Sequence, residues 1–172
     1  MSLHINKRGG FSLVEVVLYA SLFAVLSVLA LNAILQMFHN FNSLRVSRDL
    51  NDSSVMIIEH LTRDMKSATN IDVFNSTFDA SPGRLTLATA NASGTALTVE
   101  YFVASGVLRI KENGVDQGFL SAGRVRVDNL TFRRLLSGTT DAVKIELQLS
   151  ATRAGITRTE YYYDTAVLRG SY

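Results

Sequence analysis

The 172-residue sequence has no cysteine, one proline (Pro82), and neither glycine nor proline from Phe11 to Ser81. The lack of cysteine excludes a disulfide framework, a thiolate nucleophile and a thiolate metal site, and carries no information about compartment. Charge is also scarce, at 19% of residues against 47% hydrophobic. That composition describes neither a disordered chain nor a surface built for nucleic acid. The length suits one domain with an appendage and is too short for a multidomain machine. Signatures of chemistry are missing too. His4, His39 and His60 are far apart with no paired-ligand spacing, no glycine-rich phosphate loop or Gly-x-Ser-x-Gly elbow occurs, and the acids of the second half are scattered. No catalytic residue, metal or cofactor is expected, and the chain does not read as an enzyme.

The charge that is present is unevenly placed. The formal net charge is +2, from 17 basic and 15 acidic residues, and Lys7 and Arg8 are the only basic residues before Arg45. Without that pair the two signs balance. Immediately after it, residues 11–35 form an apolar run interrupted by Ser12, Glu15, Ser21, Ser27 and Asn32. As a helix this run reaches roughly 37 Å, enough for a hydrocarbon core of about 30 Å. The basic pair on its N-terminal side predicts a cytoplasmic N-terminus, with the chain beyond Leu35 outside. A cleaved secretory signal has a shorter apolar core and no internal acid.

Glu15 is the residue that needs explaining, because an ionised acid near the centre of a spanning helix costs about 2–3 kcal/mol and needs a partner or a task. No Lys or Arg lies within the helix to supply one. Cleavage between Gly10 and Phe11 would create a cation, the new amine of Phe11, about one turn from Glu15. The amine of a neighbouring subunit would serve equally well.

The segment Lys7-Arg8-Gly9-Gly10-Phe11-Ser12-Leu13-Val14-Glu15, followed by a long apolar helix, resembles the class III signal of type IV pilins and pseudopilins. The resemblance implies that a membrane prepilin peptidase removes residues 1–10 by cutting after Gly10 and methylates the amine of Phe11. The helix then anchors the subunit in the inner membrane and afterwards packs with other subunits as the filament core. In the family the counterpart of Glu15 pairs with the N-terminal amine of an adjacent subunit during assembly. The implied partners are other pilin or pseudopilin subunits, the prepilin peptidase and the inner-membrane assembly platform.

Beyond the apolar run, residues 36–68 read as an amphipathic continuation of the helix. Phe38, Phe41, Leu44, Leu50, Ile57, Ile58, Leu61 and Met65 recur at helical spacing among charged residues. Asn51-Asp52-Ser53-Ser54 weakens the stripe, as a bend or as an exposed patch. Residues 69–172 read as a β-rich extracytoplasmic head. Segments 85–87, 97–103, 107–110, 125–127, 130–132, 143–149 and 156–163 alternate in the manner of strands. Pro82-Gly83, Ser93-Gly94, Ser105-Gly106, Asn113-Gly114, Ser137-Gly138 and Ala154-Gly155 read as turns between them. The expected fold is α+β: one long N-terminal helix whose second half packs on an antiparallel sheet.

The order of these elements, with Tyr101-Phe102-Val103, Leu108-Arg109, Val127-x-x-Leu130-x-Phe132 and a closing Ala166-Val167-Leu168-Arg169, is similar to minor pilins and pseudopilins of the J type. Two departures stand out. Many major pilins carry a proline in the membrane half of the helix, which this chain lacks, and the tip-most K-type subunits lack the acid and carry a larger head.

The expected function is therefore a structural subunit, minor rather than major, of a type IV pilus, a competence pilus or a type II secretion pseudopilus. It would be single-pass in the inner membrane with its head outside, and later part of a filament. The alternatives are a signal-anchored extracytoplasmic binding domain and a tip adhesin or DNA receptor. Arg124, Arg126, Arg133 and Arg134 are the residues a nucleic acid would meet, although a solvated strand face explains them better. Tyr161-Tyr162-Tyr163 and Tyr101 are assigned to core packing ahead of ligand contact.

Overall fold

The computed structural model describes residues 12–90, 94–137 and 140–168. The chain divides into two units, residues 1–41 and 42–172. Helix α1 spans Leu13–Ser67, which the absence of glycine and proline over this stretch permits. Asn51 to Ser54 lie within it without a break.

In the first unit the described residues are helical from Leu13 on, and their apolar side chains face outward all round. Leu13, Phe23, Leu35 and Met37 are among many that are more than half exposed. A helix apolar on every face is one that water does not surround, and α1 is long and apolar enough to cross a membrane. It is a candidate membrane anchor.

In the second unit α1 becomes amphipathic. Val46, Leu50, Ile57, Leu61 and Met65 are fully buried, whereas Leu44 is 69% exposed. Phe38 and Phe41, in the first unit, are exposed as well. The buried stripe thus begins later than the apolar pattern suggests. Ser53 and Ser54, expected to mark a bend or an exposed patch, are instead buried, with Ser54 Oγ donating to the Asn51 carbonyl at 2.8 Å. Small side chains let another layer approach the helix closely, and a serine can return its hydroxyl to its own backbone.

After the helix come eight strands: β1 (Asn70–Ile71), β2 (Leu85–Ala90), β3 (Ala96–Ala104), β4 (Val107–Glu112), β5 (Val115–Phe119), β6 (Val125–Ser137), β7 (Thr140–Arg153) and β8 (Ile156–Val167). They form two antiparallel sheets, β1-β2-β3-β4-β5 and β6-β7-β8, where the sequence suggested one. The sheets meet where Val127 N–H donates to the Gly106 carbonyl at 2.8 Å. Helix residues Leu50 to Met65, β2–β4 and β6–β8 contribute to one hydrophobic core that includes Leu85, Tyr101, Phe132 and Ile145. The architecture is α+β, a long apolar N-terminal helix followed by antiparallel sheets.

Three tight hairpins set the registers. Ser105-Gly106, Asn113-Gly114 and Ala154-Gly155 each carry positive φ at both residues and join strands whose flanking residues pair directly. Two consecutive left-handed residues match the twist of adjoining strands, and glycine in the second place adopts that conformation without a steric cost.

Strand β6 unites the two segments read as separate strands. Its register against β7 slips between Val127 and Asn129, so Asp128 is the extra residue of a β-bulge. The slip moves the inward phase from Val125 and Val127 to Leu130 and Phe132, and the sequence shows it as two short strands out of step. Strands β1 and β5 lack the alternation that betrays a strand. The first has two residues, and the second, Val-Asp-Gln-Gly-Phe, is largely exposed.

Candidate functional site

Lys7, Arg8, Gly10 and Phe11, assigned to leader charge, cleavage and N-methylation, lie outside the described residues. Glu15, the assembly residue of that assignment, sits in the first turn of α1. An acid at this place faces the unpaired N–H groups and the positive end of the helix dipole, worth about 0.3–1 kcal/mol. Val16 N–H donates to the Ser12 carbonyl at 3.1 Å, which makes Ser12 the first acceptor of the helix among the described residues.

The other polar residues of the apolar stretch show how this segment handles polarity. Ser21 Oγ donates to the Leu18 carbonyl at 2.9 Å, Ser27 Oγ to the Phe23 carbonyl at 2.8 Å and Asn32 Nδ2 to the Val28 carbonyl at 3.0 Å. Each returns a donor to the helix backbone one turn back, which is how such groups are accommodated in hydrocarbon. A carboxylate has no hydrogen to donate and no such solution. Among the described residues Glu15 has one long contact instead, the Tyr19 hydroxyl donating to Oε1 at 3.5 Å. Tyr19 was not singled out from the sequence; its place four residues on, on the same helix face, is the signal that finds it. Among the described residues the site is thus an exposed acid at a helix start with one weak phenol donor.

The second unit holds its charges differently. Arg133 Nε donates to Glu146 at 3.0 Å and its Nη1 to Asp79 at 3.2 Å. Arg134 makes a bidentate pair with Asp141, at 3.0 and 2.6 Å. Arg126 lies 3.5 Å from Asp128. The contacts to Glu146 and Asp141 hold both guanidinium groups above their ordinary pKa. Three of the four arginines grouped by the sequence are therefore matched to acids: Arg126 to its near neighbour Asp128, and Arg133 and Arg134 to Glu146, Asp79 and Asp141, which a linear reading does not place beside them. Glu146 also accepts from Lys144 at 2.8 Å, and this contact together with Arg133 keeps its carboxyl below the usual range.

The tyrosines divide. Tyr101 is fully buried, and its hydroxyl donates to Asp64 on α1 at 2.5 Å. Burial first, and then the Asp64 carboxylate, push its pKa well above the ordinary phenol value. Tyr162 packs against the core, and its hydroxyl donates to Asn51 at 3.0 Å. Tyr161 and Tyr163 do not pack inward; they are 61% and 63% exposed. Their assignment to the core is corrected by strand parity, which turns i and i+2 away from the face that Tyr162 occupies.

A shallow groove of ≈ 530 Å³ runs beside α1, lined by Ile58, Glu59, Thr62, Arg63, Lys66 and Asp164, with Thr62 Oγ1 donating to Asp164 at 2.8 Å. Its charges are mixed. Among the described residues no three His, Asp or Glu side chains stand together as metal ligands. No protein-family model matches the chain, and neither a curated protein nor a solved structure shows a significant match to it.

Proposed function

We propose that the chain is a structural subunit, minor rather than major, of a filament of the type IV pilin and pseudopilin kind. The observation that carries this reading is Glu15: an acid within an apolar helix, four residues after Phe11, with no Lys or Arg in its apolar run and, among the described residues, only Tyr19 donating to it. Cleavage after Gly10 and methylation at Phe11 give each copy one amine at the start of the helix. Glu15 then accepts the amine of a neighbouring copy. In hydrocarbon this contact is far stronger than in water, and it removes the cost of an unpaired acid. It therefore selects the staggered arrangement in which each Glu15 meets an amine.

The same acid explains two stages. In the bilayer, Lys7 and Arg8 hold the N-terminus in the cytoplasm and the helix anchors the head outside. In the filament, apolar faces that lipid once covered are covered by helices of other subunits. Prepilin peptidase and an inner-membrane assembly platform are the partners this sequence of events requires. A tether for an enzyme or solute-binding domain needs a helix but has no use for an acid at Glu15.

The test is Glu15→Ala in cells that assemble the filament. The expected result is normal membrane insertion and processing with incorporation into sheared filaments or pseudopili reduced at least about tenfold, the effect of about 1.4 kcal/mol or more per contact. Incorporation at the wild-type level removes Glu15 from the assembly step.

A further inference from the structure

We infer that the outer face of the β6-β7-β8 sheet is a binding site for a neutral, extended glycan, with Tyr161 and Tyr163 as its stacking platform. Nothing in this assignment depends on the filament reading.

The face is built by strand register. Tyr161 pairs with Gln148, Tyr163 with Glu146, and Gln148 in turn with Asn129, so these side chains share one side of the sheet across three strands. Both rings are more than 60% exposed although Tyr162 between them packs against the core. Successive same-face residues on a strand are about 6.8 Å apart, so the two rings stand in line, a spacing comparable to the length of one sugar unit. A cleft of ≈ 90 Å³ lies between them and the neighbouring strand, lined by Asn129, Glu146, Leu147, Gln148, Tyr161 and Tyr163.

The chemistry of the face selects the ligand. Its charges are already satisfied: Glu146 accepts from Arg133 at 3.0 Å and from Lys144 at 2.8 Å, and Lys144 lies 5.6 Å from the centre of the Tyr163 ring. A free anion or cation therefore finds no unpaired opposite charge there. What the face does offer is two aromatic surfaces and uncommitted polar groups. Neither the Tyr161 nor the Tyr163 hydroxyl, nor the Gln148 amide, has a hydrogen bond among the described residues. Asn129 Oδ1 accepts from Thr131 at 3.2 Å, which leaves its amide hydrogens free.

A pyranose ring supplies what these groups lack. Its C–H face covers an aromatic ring, and its equatorial hydroxyl or acetamido groups meet amides and phenols. The outward neighbours on β8, Thr159 and Thr165, are polar and exposed, so the platform has no aliphatic border of the kind that forms the dry centre of a protein interface. Rings on paired strands lose little freedom on binding. A linear β-1,4-linked glycan, whose units follow one direction, fits rings aligned along a strand.

The test uses the full chain in lipid nanodiscs, which avoids sugar-headed detergents, with chitohexaose and cellohexaose as probes and saturation-transfer NMR observed on the sugar. The expected result is saturable transfer to ring C–H protons of at least one probe, with affinity reduced about tenfold or more in Tyr161→Ala and in Tyr163→Ala. Tyr161→Phe, which keeps the ring, should stay within about threefold of the parent. Circular dichroism checks that these exposed positions leave the fold intact. No transfer from either probe at millimolar concentration overturns the assignment and leaves the rings to a protein partner. Equal transfer in the double alanine variant overturns it as well, because the sugar then binds elsewhere.

Discussion

The apolar stretch of α1 and the β-rich unit treat polar groups in opposite ways. In the stretch, Ser21, Ser27 and Asn32 turn their donors back to the helix backbone, and among the described residues the acid Glu15 has only a 3.5 Å contact. In the β-rich unit, Arg133 is held between Glu146 and Asp79, Arg134 is clamped on Asp141, and even the buried phenol of Tyr101 reaches Asp64. Several arginines of the β-rich unit are paired with acids inside it, whereas among the described residues Glu15 has no cation beside it. The lesson is about where to look for a partner. A charge matched within its own unit contributes to the fold, whereas a charge unmatched in an apolar segment points outward, to another molecule.

The largest effect that can break this comparison is on packing. Phe132→Ala removes a fully buried ring and should destabilise the β-rich unit by about 3–5 kcal/mol, measured by denaturant unfolding followed by circular dichroism. Phe23→Ala, at a residue 72% exposed, should leave that transition unmoved. Equal effects at the two positions would erase the distinction between a core and a surface that awaits its covering.

Next is the helix-to-sheet contact of Tyr101. Tyr101→Phe should cost about 1.5–3 kcal/mol, the range for hydrogen bonds to charged groups. It should also change the alkaline limb. Burial and Asp64 raise the Tyr101 pKa in the folded state, so its contribution is complete below the ordinary phenol value near 10 and declines as pH rises beyond it. The parent should lose stability above about pH 10, and the phenylalanine variant should lose less over that interval. Identical alkaline profiles would show that the phenol does not couple to folding.

The smallest effect lies at the surface. Lys144 and Arg133 lower the Glu146 pKa, and Arg109, donating at 2.8 Å, lowers that of Asp116. Depressed carboxyl values stabilise the fold above the unfolded pKa, near 4, and that contribution disappears as pH falls through the lower folded value. Glu146→Gln should therefore flatten the acid limb below about pH 4 and change little at pH 7. Because Asp116 is exposed and Glu146 is only half-buried at the surface, the change should be modest and should shrink with added salt. A steeper acid limb in the variant would contradict the sign.

Much of this architecture was legible in the chain. The lack of glycine and proline from Phe11 to Ser81 marked the unbroken helix, and X-Gly pairs at 105, 113 and 154 marked three hairpins. Features that cancel in a one-dimensional reading were hidden. The bulge at Asp128 reverses the alternation and split β6 into two segments. The exposed β5 has no buried face to produce a pattern, and the division into two sheets leaves no local trace. Serines 53 and 54 read as polar and are buried because their size suits a close approach. The site was legible where it departs from expectation, since an acid in an apolar run stands out in any linear view. The pairing of Arg133 with Asp79, 54 residues apart, does not.

The claim that Glu15 waits for an amine rests on the chemical identity of the mature N-terminus. Intact-mass analysis of the chain purified from membranes, with sequencing of its first residues, tests that most directly. The expected product begins at Phe11 and carries one added methyl group on its amine. A chain that keeps Lys7 and Arg8, or that begins at any residue other than Phe11, contradicts the account.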